Sequence, residues 1–240
     1  MAFARYSPPG MLLCTGMKSP ALVWFRQDLR LFDNPALTAA CARGGPVIPV
    51  FIWAPDEEGA WPPGQASRWW LHHSLQSLEA DIRKLGGRLI LRRGPSLDAL
   101  RSLIRECGAQ ALYWNRRYEP AIRERDARVE NTLRQEGIYI ETHNSTLLFE
   151  PDEIRNRNGN PFTIFTQFWR ACSASVPYFV PVRPRKFIKI KWPSSLKVKD
   201  FDLESDIDGP EAFPCWEPGE AGARKALEQF LDNALQNYGQ

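Results

Sequence analysis

Two short runs hold the densest polar chemistry of the chain. Arg26-Gln27-Asp28-Leu29-Arg30 and Asn115-Arg116-Arg117-Tyr118-Glu119 each follow directly on an apolar run. Guanidinium, carboxylate, amide and phenol groups gathered in this way can hydrogen-bond a polar ligand. They can equally neutralise one another in an ion-pair network that fixes a loop. For Arg26, Asp28 and Arg30 the network is the simpler reading. Glu119 stands at a helix start, where a carboxylate is favoured by the macrodipole alone. Trp53 and Trp114 could stack on a planar ligand, but packing explains them equally well. His72 and His73 are adjacent in a helical stretch, so their rings point in different directions. With His143 they read as packing or solvated side chains, and no metal ligand is expected. The five cysteines lie too far apart for a zinc ribbon or a Cys-x-x-Cys site. The sequence contains no Gly-x-Gly-x-x-Gly, Walker A, Gly-x-Ser-x-Gly or His-Glu-x-x-His motif. No nucleophile stands beside a base, so no catalytic residue is assigned.

Composition narrows the classes. Of 240 residues, 43% are apolar and 25% charged, as in ordinary globular proteins. A chain of this length buries enough surface to fold without disulfide or metal staples. A disordered tail, a collagen-like fibre and a disulfide scaffold are thereby excluded. No apolar stretch approaches the roughly 20 residues of a membrane span. The net charge of +3 is too small to argue for nucleic-acid binding. Scattered cysteines in odd number suit a reducing cytoplasm. Nine tryptophans fit either a packed core or a stacking surface. Residues 1–19 read as an extension: Pro8-Pro9-Gly10 breaks any periodicity, and Met11-Leu12-Leu13 is too short for a signal-peptide core. Translation is expected to start at Met17, and N-terminal sequencing showing Met1 would overturn that.

The polar runs must be positioned by the elements around them. Apolar runs at 20–25, 46–54, 88–92, 111–114 and 138–140 read as strands, although Pro49 weakens the second. Helices are expected after Asp33-Asn34-Pro35, over Ser67–Leu85, over Pro95–Cys107 and over Glu119–Glu136. In the second of these, Leu71, Leu75, Leu78, Ile82 and Leu85 share one face, and Gly86-Gly87 ends it. Five strands alternating with four helices predict a Rossmann-like α/β fold. Its sheet should be doubly wound, parallel and five-stranded, in the order 3-2-1-4-5. Ligands in such sheets sit at the carboxyl ends of the strands, where both polar runs fall. Residues 20–176 form this domain. Within it, Asn158-Gly159 suggests a hairpin turn, and the aromatic-rich run Phe162–Ala174 suggests a helix.

Residues 177–218 read as a linker. Residues 183–199 hold seven Lys and Arg and no acid, whereas residues 200–220 hold eight Asp and Glu and no base. The plain reading is a solvated connector whose halves attract. The sharper one is a nucleic-acid contact with Phe187 and Trp192 interleaved. Residues 219–240 then form a helix striped with Ala223, Leu227, Phe230, Leu231, Ala234 and Leu235. It either folds back on the sheet domain or opens a further domain.

Val23-Trp24-Phe25-Arg26-Gln27-Asp28-Leu29-Arg30-Leu31-Phe32-Asp33-Asn34 resembles the opening motif of the DNA photolyase and cryptochrome family. Trp114 to Pro120, Arg125-Asp126 and Phe162 to Phe168 extend the resemblance, which covers residues 18–240. It implies an N-terminal antenna domain, a linker, and a larger helical domain that binds FAD, of which residues 219–240 are the first helix. In the family, light-excited reduced FAD donates an electron that splits a pyrimidine dimer. The antenna domain holds a deazaflavin, a flavin or a folate. The resemblance makes Arg26, Asp28, Arg30, Trp53, Asn115, Tyr118 and Glu119 candidate antenna contacts, and Tyr238 a vestigial FAD contact. Folate-binding members carry an Asn-Glu pair where this chain has Ala121 and Ile122, which cannot hydrogen-bond a pterin. Gln167 stands where proline is common. The full-length parent would act on damaged DNA in the cytoplasm. The present chain is expected to bind DNA weakly or not at all, to touch no membrane and to repair nothing alone. Rival readings are a free-standing nucleotide- or flavin-binding module, a partner subunit, and an inert gene remnant.

Overall fold

The computed structural model describes residues 18–175, 180–203 and 216–238. The proposed start at Met17, with Cys14 and Cys215, lies outside the described residues. The apolar runs form strands β1 (Ala21–Phe25), β2 (Val47–Trp53), β3 (Ile90–Arg93), β4 (Ala111–Asn115) and β5 (Tyr139–His143). Between them run α1 (Pro35–Ala42), α2 (Gln65–Lys84), α3 (Ser96–Cys107) and α4 (Pro120–Gln135), followed by α5 (Phe165–Ala174) and α6 (Glu220–Asn233). The strands make one parallel sheet in the order β3-β2-β1-β4-β5, as the alternating pattern predicts.

Side chains alternate across the sheet. Ala21, Val23 and Phe25 face a core completed by Leu37 of α1 and Leu75, Leu78 and Ile82 of α2. Leu22 and Trp24 face the opposite core with Leu100 and Leu103 of α3 and Val129 and Leu133 of α4. Pro49 is tolerated because it pairs with Val23 on one side only: β3 joins β2 from Val50 onward. α1 starts on Asn34, whose side chain accepts from the Leu37 N–H at 3.1 Å, with Pro35 in the first turn.

Residues 183–203 correct the solvated-connector reading. Phe187, Val198, Phe201 and Leu203 are buried in the α2-side core. The Phe187 N–H donates to the Leu85 carbonyl at 2.9 Å, and the Leu196 N–H donates to the Leu91 carbonyl at 3.2 Å. The Leu91 N–H in turn donates to Ser195 Oγ at 2.9 Å. The segment is therefore a strap along the outer edge of β3, which satisfies backbone groups that an edge strand leaves open. Its acids do not pair with its own lysine heads: Asp200 accepts from the Lys197 backbone N–H at 2.7 Å, and Asp202 pairs with Arg93 at 3.2 Å. At the other edge, the outward carbonyls of Ile140 and Thr142 accept from Arg134 and Arg116. Gly86 ends α2 at φ +81°, while Gly87 has a packing reason: a Cβ there would lie 2.6 Å from the Phe187 ring.

Two later elements carry exposed apolar faces. Phe165, Phe168 and Trp169 of α5 are exposed, with the Phe165 and Trp169 rings stacked. The hairpin at Asn158-Gly159 closes with a bridge between Arg155 and Pro161. α6 is anchored by its first turn. Glu220 Oε2 accepts from the Leu31 N–H at 2.8 Å, and Arg224 lies over the Phe32 ring. Beyond that turn, Leu227, Leu231 and Leu235 are exposed. No helix among the described residues is long and apolar enough to cross a membrane.

Candidate functional site

Parallel strands all deliver their carboxyl ends to one rim, and the loops after β1, β2 and β4 meet there. They enclose a cleft of about 700 Å³. Its inner wall is Trp24, Phe51 and Trp53 at the ends of β1 and β2, and its outer wall includes Trp70 and Leu71 from α2. A smaller cleft of about 430 Å³ lies alongside, over the end of β4. Arg26, Asp28, Arg30 and Trp53 line the larger cleft, and Asp28, Asn115, Tyr118 and Glu119 line the smaller one. Arg117 borders both. Tyr238 lies in neither and is exposed, its ring edge-on to Phe230.

Most polar groups of the two runs bond one another. Arg26 is buried; its guanidinium donates to Asp126 and to the Asn115 carbonyl, and its backbone N–H donates to Asp28 Oδ1 at 2.8 Å. Burial pushes the Arg26 pKa down, and Asp126 opposes that shift. The Arg26 Nε has no partner among the described residues. Asn115 is the hub: its Nδ2 donates to Asp28 and to Asn34, and its Oδ1 accepts from the Ala36 N–H at 3.1 Å. Arg26 and Arg125 both lie over the Trp24 ring, at 5.1 and 4.9 Å. Arg30 donates to Ser145 Oγ at 2.9 Å and to the Asp33 carbonyl.

The smaller cleft is built likewise. Arg117 forks onto Glu58 with two 3.0 Å hydrogen bonds and reaches Glu119 at 2.8 Å. Burial lowers the Arg117 pKa, but the hydrogen bonds to Glu58 and Glu119 outweigh it and the net shift is upward. The Tyr118 hydroxyl donates to Glu150 at 2.8 Å, and burial with that carboxylate raises its pKa. Glu119 caps the start of α4 without a side-chain cap bond, its carboxylate accepting from Arg117 and from the Tyr118 N–H. Trp114 belongs to the core, edge-on to Trp24 at 5.8 Å. His72 is buried beside Gln76, and His73 packs on Trp69.

Sequence reasoning passed over Trp70, Glu57 and Glu58. Glu57 accepts from the Ser96 N–H at 3.1 Å at the start of α3, and Glu58 holds Arg117, so the turn after β2 becomes a fixed wall. A signal existed: the turn after β2 and the start of α2 must reach the ligand rim in any sheet of this order.

The DNA photolyase family model matches residues 21–185. The chain belongs to this family. Cryptochrome-1 of Arabidopsis thaliana is 40% identical over 91% of the chain, but that match is 33% of the plant protein. The crystal structure of a bacterial class III photolyase from Agrobacterium tumefaciens superposes with a TM-score of 0.84 at 40% identity, over 94% of this chain and 47% of that one. An archaeal photolyase from Sulfolobus tokodaii, solved with two FAD molecules and described as implying a novel light-harvesting cofactor, matches with a TM-score of 0.70. It shares 25% identity over 88% of this chain and 46% of its own. The chain thus spans less than half the length of these photolyases and cryptochromes and corresponds to their N-terminal α/β domain. The parallel α/β sheet in this strand order is similar to the N-terminal domain of these photolyases.

Proposed function

We propose that this chain forms the light-harvesting half of a photolyase or cryptochrome and holds a planar antenna chromophore in the larger cleft. The observation that carries the reading is the cleft itself: about 700 Å³, walled by Trp53 and Trp70, at the carboxyl rim of the sheet. The residues present fit a flat aromatic ring. The walls are mainly apolar, with Arg26, Asp28 and Arg117 among the polar groups that line the cleft. When bound, a deazaflavin, flavin or folate supplies absorption in the near ultraviolet or blue. The protein's part is to exclude water with Trp53, Trp70 and Leu71 and to fix ring orientation with the Arg26 loop. Ala121 and Ile122 line neither cleft, which favours a flavin-type ring over a folate. FAD and damaged DNA belong to the full-length parent. In this chain Tyr238 offers FAD a single exposed phenol. The setting is the cytoplasm, which suits the free thiols Cys41, Cys107 and Cys172.

The test is an absorption spectrum from 300 to 500 nm after gel filtration with riboflavin, a deazaflavin or a folate. A retained, red-shifted band that Trp70→Ala weakens by tenfold or more in affinity is the expected result. A chain that retains none of the three sinks the proposal. So does a chain that splits pyrimidine dimers in light without the helical half.

A further inference from the structure

The strap over β3 carries a second surface, on residues that do not line the cleft. Most of its large apolar side chains point inward: Phe187, Val198, Phe201 and Leu203 are buried and Trp192 packs against both cores, while Ile188 and Leu196 are exposed. Its cations point outward. Arg183, Arg185, Lys186, Lys189, Lys191, Lys197 and Lys199 are all exposed. None of these side chains makes an ion pair among the described residues. Several carboxylates on the neighbouring elements are engaged elsewhere. Glu79 pairs with Arg83, Asp81 with Lys84, Glu106 with Arg92 and Asp202 with Arg93. Arg83, Arg88 and Lys197 also border one shallow groove floored by Trp192 and Ser195. The backbone beneath is pinned to Leu85 and Leu91, so the row of charge is held in place before any partner arrives.

We propose that this strap binds the phosphate backbone of duplex nucleic acid, without reading sequence. Phe187 is buried and Trp192 is half-buried against both cores, so the strap offers no freely exposed ring to stack on unpaired bases and the contact is with phosphates rather than bases. The same inward turn leaves no exposed aromatic ring on the strap to enter a lipid interface, which disfavours a membrane. Cations that are not neutralised by neighbours release counterions from DNA on binding, and about five contacts give a log–log salt slope near −4.5. Affinity is then that of a non-specific binder, with Kd of about 10⁻⁶ to 10⁻⁴ M at physiological salt.

Fluorescence anisotropy with an undamaged 20-base-pair duplex tests this on the 240-residue chain. Wild type should bind, with a slope between about −4 and −5 on log salt. The variant K189E/K191E/K199E should lose at least tenfold in affinity. A control, R123E/R128E/R157E, makes the same change in net charge on other exposed, unpaired arginines and should keep affinity within about threefold. Lys→Gln at the same three strap positions gives a milder loss, and matching circular-dichroism melts show that all variants fold. The inference is overturned by an absence of wild-type binding or by equal loss in both charge-reversal variants. Tighter association with phosphatidylserine vesicles than with the duplex also overturns it.

Discussion

At the residue scale, the governing object is the buried Arg26–Asp126 pair, with Asn115 and Asp28 completing its hydrogen bonds. Removing one partner of a buried pair strands a charge, which costs about 3–5 kcal/mol, whereas removing both costs far less. Asp126 also accepts from the buried Arg125 at 2.8 Å, so Asp126→Asn should lower stability by about that amount in urea unfolding, and Asp126→Leu with both Arg26→Met and Arg125→Met should recover part of the loss. Tyr113 gives a pH signature. Burial, reinforced by the charge of Glu141, pushes its pKa from the ordinary 10.0 up to about 12. A phenol whose folded pKa is raised stabilises the fold below its unfolded pKa, and that contribution is lost as pH rises from about 10 to about 12. Absorbance titration at 295 nm should show a tyrosine titrating at about 12, later than the rest, that Tyr113→Phe removes. The variant should also flatten the alkaline loss of stability across the same window. The sequence reading of Arg26, Asp28 and Arg30 as one network was met only in part: Asp28 accepts from the Arg26 backbone N–H, the Arg26 guanidinium pairs with Asp126, and Arg30 bonds Asp33 and Ser145 instead. That Asp126, a hundred residues away, is the counter-charge to Arg26 was not legible, because periodicity marks which face a residue occupies and not which partner it meets.

At the element scale, the five strands and four crossover helices were readable nearly to their ends, because continuous apolar strands and one-faced helices have different periods. The strap was misread. Prolines and a run of lysines carry no period, and its inward residues (Phe187, Trp192, Val198 and Phe201) are spaced irregularly, so nothing local marked them as core. Phe187 holds the strap at its first contact, where Gly87 leaves room for the ring. Truncating a buried phenylalanine costs about 3–5 kcal/mol when the site does not collapse. Phe187→Ala should show that loss, together with faster tryptic cleavage between Lys186 and Lys191 under native conditions. A variant with unchanged cleavage would mean the strap is held elsewhere.

For the molecule as a whole, the sheet and strap form one packed body, whereas α5 and α6 present apolar side chains to solvent. Phe165, Trp169, Leu227 and Leu231 are each about half exposed or more. Patches of this kind bind apolar dyes and other surfaces. The isolated chain should enhance anilinonaphthalene sulfonate fluorescence in its native state, and Phe165→Ser with Trp169→Ser should remove at least half of the signal without lowering the melting temperature. No enhancement would mean that the patches are covered in solution.

The strap also decides what counts as a movable unit. A sheet domain cut after Ser175 would keep every strand and crossover helix but lose Phe187, Phe201 and the backbone partners of Leu91. Its β3 edge would then be open to pairing with another chain, a route to fibrils rather than to a working module. Gene fusions and recombination events that transplant this domain must therefore carry it through at least Leu203. Breakpoints placed at the end of the last strand should be purged, although the sequence there looks like the natural place to cut.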